Sequence, residues 1–275
     1  MSNLRRLLDR LEIRPGANLY VHSSFSYLSH LEMTPAEIVG GLLEHIGPQG
    51  TLAMPSFWWN REKGQRLWYN HEYTFEHAPV FDYRNAPCNI GIIPETFRQW
   101  PGTRRTLTYW YPISANGPLA EELCRSAVHV LNDHDPDGDG SFGRLYRADF
   151  HITGLGVSAN TTSLSFLADV AVGEVHTQQY LTDEIRVGKI LDGEHLIEHP
   201  GYWLYPAAIK GGRPREVIDR SHQLEGAFVE AKVGEAIHFR YPYRAYQEQA
   251  VRLGREAAAA GLPMPWLPGL PVRQA

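Results

Sequence analysis

A histidine followed by two serines, His22-Ser23-Ser24, closes a short apolar run that begins at Asn18. The run reads as a buried strand. Small hydroxyl residues between a strand and a helix can turn backbone N–H groups toward an anion. The same two serines would serve equally as a plain turn. His22 sits where α/β folds place their ligand crevice, at a strand end, either as a ligand contact or as a structural histidine. A second stretch, NDHDPDGDG from Asn132 to Gly140, starts like a calcium loop, with D-x-D-x-D-G from Asp133. Its twelfth position is Arg144, where such a loop needs a bidentate Glu, and Pro136 lies inside it, so a polar turn is the better reading. The histidines show no HExxH spacing. His195 and His199 are four apart, but Asp192-Gly193 before them and Pro200-Gly201 after them argue against a shared helix face. No metal is expected. Cys88 and Cys124 are the only cysteines, without CxxC spacing, and are expected as free thiols in a reducing cytoplasm.

The elements that must position these groups follow from periodicity and punctuation. Leu4, Leu7, Leu8 and Leu11 recur at helical spacing, ahead of Pro15-Gly16. Thr34-Pro35-Ala36-Glu37 opens a helix with Thr as N-cap, Pro at the first helical position and Glu in the first turn. That helix ends near Gly47-Pro48, and Gly50 to Met54 makes a second strand. Two strands joined by such a helix predict a βαβ unit and a parallel sheet. Phe57 to Tyr73 carries Trp58, Trp59, Trp68, Tyr69 and Tyr73 without clear period; a substrate wall is favoured over a self-packed surface loop. A Gly-opened helix is expected from Gly91 to Trp100, closed by Pro101-Gly102. His151 to Val157 reads as a third strand, leading into a helix from about 158 to 172. From Glu184 the pattern changes to a hairpin, Arg186–Leu191 and His195–Glu198 about Asp192-Gly193. Residues 227–230 read as a helix, Glu235–Phe239 as a strand, Tyr243–Ala260 as a last helix, and 261–275 as a Pro-rich tail.

The chain of 275 residues is 43% hydrophobic and 21% charged, with 26 basic against 31 acidic residues. It can bury a sizeable core. The absence of a basic block argues against nucleic acid. No apolar window reaches the length of a membrane span, and the first residues carry no secretory pattern, so a cytoplasmic protein is expected. The expectation is one α/β domain over residues 1–275. Its central mixed sheet is flanked by helices, parallel in the N-terminal half and more antiparallel in the C-terminal half.

Phe81-Asp82, Gly91, Pro94-Glu95-Thr96-Phe97-Arg98, Trp100-Pro101-Gly102, Arg105 and Gly117-Pro118 form an ordered series. It resembles the aminoglycoside 3-N-acetyltransferase family. The likeness continues at VHSSFSYL (21–28), IGPQGTLAMPSF (46–57), SFGRLY (141–146), ITGLGV (152–157) and SFLAD (165–169). It implies a coenzyme A thioester, acetyl-CoA or another acyl-CoA, as co-substrate, a small-molecule amine as acceptor, and a homodimer. It also implies that His22, Ser23, Ser24, Ser141 and Phe142 lie beside the coenzyme, and that Glu121 stands near the substrate amine. A Glu in the first turn of a helix is also routine capping.

An amine attacking a thioester needs a base for its proton and donors for the oxyanion. The family's pattern, like NTxLHxAE, sets the base on Phe166 and the acid on Asp169 of this chain. Its other recurrent His, in a run like R-S-x-H-P, falls on Thr108. Neither Phe nor Thr can replace imidazole as a base. His176, seven residues after Asp169, would share a helix side with it if the helix survives Gly173, and is the candidate for a relocated base; otherwise it is a surface residue. The resulting expectation is CoA-dependent N-acylation of a primary amine, as in an amino sugar or biosynthetic intermediate, by direct attack. The alternative is a protein of this fold with lost or altered catalysis.

Overall fold

The computed structural model describes residues 2–58, 80–132, 138–161, 181–204, 217–219, 221, 224 and 226–262. Helix α1 (Asn3–Arg10) is capped by the Ser2 hydroxyl, which accepts from Arg5 N, and buries Leu4, Leu7 and Leu8. Leu11 is buried just beyond it. Strand β1 (Asn18–Ser23) buries four consecutive residues, Leu19 to His22. Such a run suits a strand covered on both faces. Its neighbours β2 (Thr51–Pro55) and β6 (His151–Leu155) both run parallel to it.

Helix α2 (Pro35–Ile46) starts with the capping box its sequence announces. The Thr34 hydroxyl accepts from Glu37 N at 3.2 Å, and the Glu37 carboxylate accepts from Thr34 N at 2.7 Å. A cap of this kind is worth about 1 kcal/mol. Helix α3 (Ile92–Arg98) begins after Gly91. Strand β5 (Ile113–Asn116) returns antiparallel to β2, with β4 (Arg104–Arg105) at its outer side. Short helices α4 (Ala120–Leu123) and α5 (Ser141–Arg147) follow. On the other side of β6, β10 (Ala236–Pro242) and β9 (Val229–Val233) are antiparallel, and α6 (Tyr243–Ala259) packs behind them. The sheet order is β4-β5-β2-β1-β6-β10-β9.

A second sheet of three strands joins β3 (Phe81–Asp82) to the hairpin of β7 (Leu181–Asp192) and β8 (His195–Leu204). Gly193, at φ 65°, makes the tight turn between Asp192 and His195. The large sheet therefore has a parallel centre and antiparallel flanks on both sides.

Alternation along β1 feeds two cores. Tyr20 joins Ala53, Ile152, Phe239 and Tyr241 on one face, while Leu19 and Val21 join Leu52, Met54 and Leu155 on the other, under α1 to α3. Each fully buried Leu contributes roughly 1.5–3 kcal/mol.

One element departs from expectation. Residues 227–230, read as a helix, lead into strand β9, because Gly226 and Gly234 both take positive φ and bound a hairpin with β10. Four residues are too few for their period to separate helix from strand. The aromatic stretch beyond Trp58, the helix expected after Thr161 and the tail beyond Leu262 lie outside the described residues. No helix among the described residues is long and apolar enough to cross a membrane.

Candidate active site

Because β1, β2 and β6 are parallel, all three end on one edge of the sheet, at Ser23, Pro55 and Leu155. Ligands in open α/β sheets bind outside the carboxyl ends of such strands. At this edge His22 is buried, with its ring edge-on to Tyr20 at 5.1 Å. Its Nε2 atom is buried and has no hydrogen-bond partner among the described residues. Burial lowers its pKa to about 4, so the imidazole is neutral at neutral pH. A buried polar atom left alone costs roughly 1–3 kcal/mol, so it marks a place where a ligand can supply the missing bond.

Ser23 follows on the opposite face, and its buried Oγ also lacks a partner. The register sets Ser23, Leu155 and His238 in one row. His238 Nδ1 accepts from Gly156 N at 3.3 Å, and its ring meets that of His30 edge-on at 5.2 Å. Both rings keep a buried Nε2 without a partner, and burial lowers the His238 pKa to about 4. Neither His30 nor His238 stands out in the sequence, because only the strand register brings them beside Ser23.

The expected N–H cradle after β1 is not what forms. Two 3-10 turns follow, Phe25–Tyr27 and Ser29–Leu31, instead of a helix. Ser24 N already donates to Leu155 O at 3.0 Å. The Ser24 hydroxyl meets that of Ser26 at 3.1 Å and is available at the surface. Gly156, at φ 70°, lets the exit of β6 pass this turn: a Cβ there would stand 2.9 Å from Ser24 O.

The remaining expected residues separate. Ser141 is fully buried, its Oγ 3.4 Å from Thr106 Oγ1, and Thr106 in turn pairs with Ile113 beside the end of β2. It is near the right edge but faces inward. Phe142 is wholly buried in the main core, against Tyr111 at 5.5 Å, and offers no side-chain surface to a coenzyme. Glu121 sits at the opposite edge. Antiparallel β5 carries the chain back to where β2 begins, and Gly117 there turns so close to Gly50 O that a Cβ would lie 2.4 Å from it. Glu121 then faces solvent, 3.5 Å from Arg104, as expected of a first-turn carboxylate. Phe166, Asp169 and His176 lie outside the described residues. Asp139, from the calcium-like stretch, is held by Arg144 and Arg125 at 3.1 Å each; the Arg144 hydrogen bond holds its carboxyl below the usual range.

Thr108 has a histidine beside it after all. His199, fully buried on β8, accepts from Tyr109 N at 3.0 Å through Nδ1, which also lies 3.3 Å from the Thr108 hydroxyl. Its Nε2 donates to Val130 O at 2.9 Å. With both nitrogens engaged and burial lowering its pKa to about 4, His199 is a clasp and no base. Around it Gly188 and Gly201 seat the rings of Tyr109 and Trp110, where a Cβ would come within 2.1 Å and 2.2 Å. Trp58 Nε1 donates to Tyr109 O, joining this strap to the chain just past β2. Arg105, buried over the Phe81 ring, donates to Ser56 O at 2.6 Å and Ala86 O at 2.7 Å and ties the same edge to the second sheet. Cys88 and Cys124 are free, and burial pushes their pKa values up to about 11 and about 12. Both remain thiols at neutral pH, poor nucleophiles.

The family model described as aminoglycoside 3-N-acetyltransferase matches residues 20–249. The chain belongs to the aminoglycoside 3-N-acetyltransferase family.

Aminoglycoside N(3)-acetyltransferase IX of Micromonospora chalcea is 26% identical over 248 residues, 86% of each chain. Among solved structures, AAC-IIIb in binary complex with CoASH superposes with a TM-score of 0.73 at 19% identity, covering 95% of this chain and 97% of that one. AAC-VIa bound to sisomicin gives a TM-score of 0.70 at 20% identity, covering 94% and 97%. The mixed sheet flanked by helices is thus the architecture of these acetyltransferases, and the family makes the chain an acyltransferase. Within that family, this chain places Thr108 and a strap of three aromatic residues, held by His199, where the acetyltransferase pattern carries its second histidine.

Proposed function

We propose that the chain transfers an acetyl or other acyl group from coenzyme A to a primary amine of a small polar molecule, an amino sugar or a biosynthetic intermediate. Coenzyme A supplies the acyl thioester, whose C–S bond breaks as the new C–N bond forms. His22, Ser23 and Ser24 line its side of the crevice. The observation that carries this reading is the partnerless Nε2 of His22. A neutral, buried imidazole at the carboxyl ends of parallel strands can hydrogen-bond an amide or hydroxyl without the cost of removing a charge from water.

The base comes from residues 162–180. Thr108 is committed to His199, and His199 is bound at both nitrogens. His176 takes the proton of the attacking amine, and Asp169 fixes its tautomer. Transfer is direct, since both cysteines are held as thiols by burial. The test is release of free thiol from acetyl-CoA with a panel of amines, together with calorimetry of CoA binding. Turnover with at least one amine, abolished by His176→Ala, is expected. Binding of CoA with no turnover on any amine would leave only a binding protein, and no CoA binding would end the reading.

A further inference from the structure

The other edge of the large sheet holds a cavity of about 440 Å³, bordered by Glu12, Arg14, Leu19, His151 and Arg240 among others. It lies where β1 and β6 begin. Four residues of β1 separate Leu19 from Ser23, so it is about 13 Å from the crevice edge along the strand. Its volume falls in the range of small-molecule sites, roughly 300–1,000 Å³.

The polar groups converge on it with an unbalanced charge. The Arg240 side chain is nearly buried; Nε donates to Leu11 O at 3.0 Å and Nη2 to the Glu12 carboxylate at 3.1 Å, while Nη1 lies 3.4 Å from His151 Nδ1. The Glu12 carboxylate is largely exposed. Arg14 carries a second guanidinium to the rim, with no ion-pair or hydrogen-bond partner among the described residues. Burial holds Arg240 below its ordinary pKa, and the Arg14 charge pushes the same way against Glu12. Burial, then Arg240, holds His151 below its ordinary value, so its Nδ1 can accept from the guanidinium. Two guanidiniums thus face one half-solvated carboxylate across an open cavity.

We propose that this cavity binds a small oxyanionic molecule, one carrying a carboxylate or phosphate group, between Arg14 and Arg240. Guanidinium forks match both groups with paired, charge-assisted hydrogen bonds. The site is independent of acyl transfer, because neither the cavity nor Arg14 touches the carboxyl-end crevice.

The test uses inorganic phosphate and succinate as probes, each titrated into the purified full chain at constant ionic strength with sodium chloride as the balancing salt. Melting temperature and calorimetry are the readouts. At least one probe is expected to bind saturably and raise the melting temperature. Arg14→Gln, a substitution at an exposed residue, should weaken that binding by about tenfold or more while leaving CoA binding unchanged. Preference between the two probes tells a phosphate ligand from a carboxylate one. A response to neither beyond that of chloride, or binding that survives Arg14→Gln, overturns the proposal.

Discussion

The two edges of the seven-stranded sheet are made by the same strands and treat polarity in opposite ways. Where β1 and β6 end, the polar side chains are neutral and several lack partners: His22 Nε2, Ser23 Oγ and His238 Nε2. Where those strands begin, the groups are charged and mostly paired, with Arg240 on Glu12 and only Arg14 left over. The difference follows from burial. A charge removed from water must be matched, so a dry crevice favours neutral donors and acceptors, while a wet rim tolerates guanidiniums. One edge is suited to a neutral amide-bearing coenzyme arm and the other to an anion.

The comparison is broken or sharpened most strongly by turnover. His176→Ala should lower kcat by about 10²- to 10⁴-fold, the usual worth of a general base, while Arg14→Gln at the other edge leaves kcat as it was. Steady-state kinetics of the two variants decide this, and equal losses would erase the division between the edges. Next in size is the clasp joining the second sheet to the crevice edge. Gly201→Val drives a side chain into Trp110, which lies 2.2 Å from the position of a Cβ. It should cost about 1–3 kcal/mol or more, read as a lower urea midpoint. An unchanged midpoint would show that the strap is not seated there.

Acid supplies a third test. The folded pKa values of His22, His199 and His238 are about 4, against about 6.5 in an unfolded chain. Between these values the unfolded state binds protons that the folded state refuses, so stability falls as pH drops from about 6.5 to about 4. A melting temperature flat across that window would contradict the buried, neutral imidazoles. The smallest effect is expected at Glu121, an exposed carboxylate at the wrong edge for catalysis. Glu121→Gln should leave kcat/KM within about twofold, since exposed pairs contribute little; a large loss would return Glu121 to the acceptor site.

What is legible in the sequence is local. The capping box at Thr34 and Glu37, the buried run of β1 and the hairpin turn at Gly193 each rest on neighbouring residues, and each forms as read. What is not legible depends on topology. Glu121 can be assigned to the substrate only by analogy, and nothing local reveals that β5 runs back to the far edge. Thr108 and His199 are 91 residues apart, so no spacing announces their contact. Phe142 sits one residue from Ser141 in a family-like run, yet a helix turns that next side chain into the core. The pairing of Ser23 with His238 likewise exists only through strand register.

The central claim is that the coenzyme lies at the edge where β1 ends, against His22. Calorimetric titration of CoA into the wild type, His22→Ala and Arg14→Gln tests it most directly. The account predicts affinity weakened by about tenfold in His22→Ala, the value of one buried hydrogen bond, and unchanged in Arg14→Gln. Wild-type affinity in a folded His22→Ala, or a loss confined to Arg14→Gln, would contradict it.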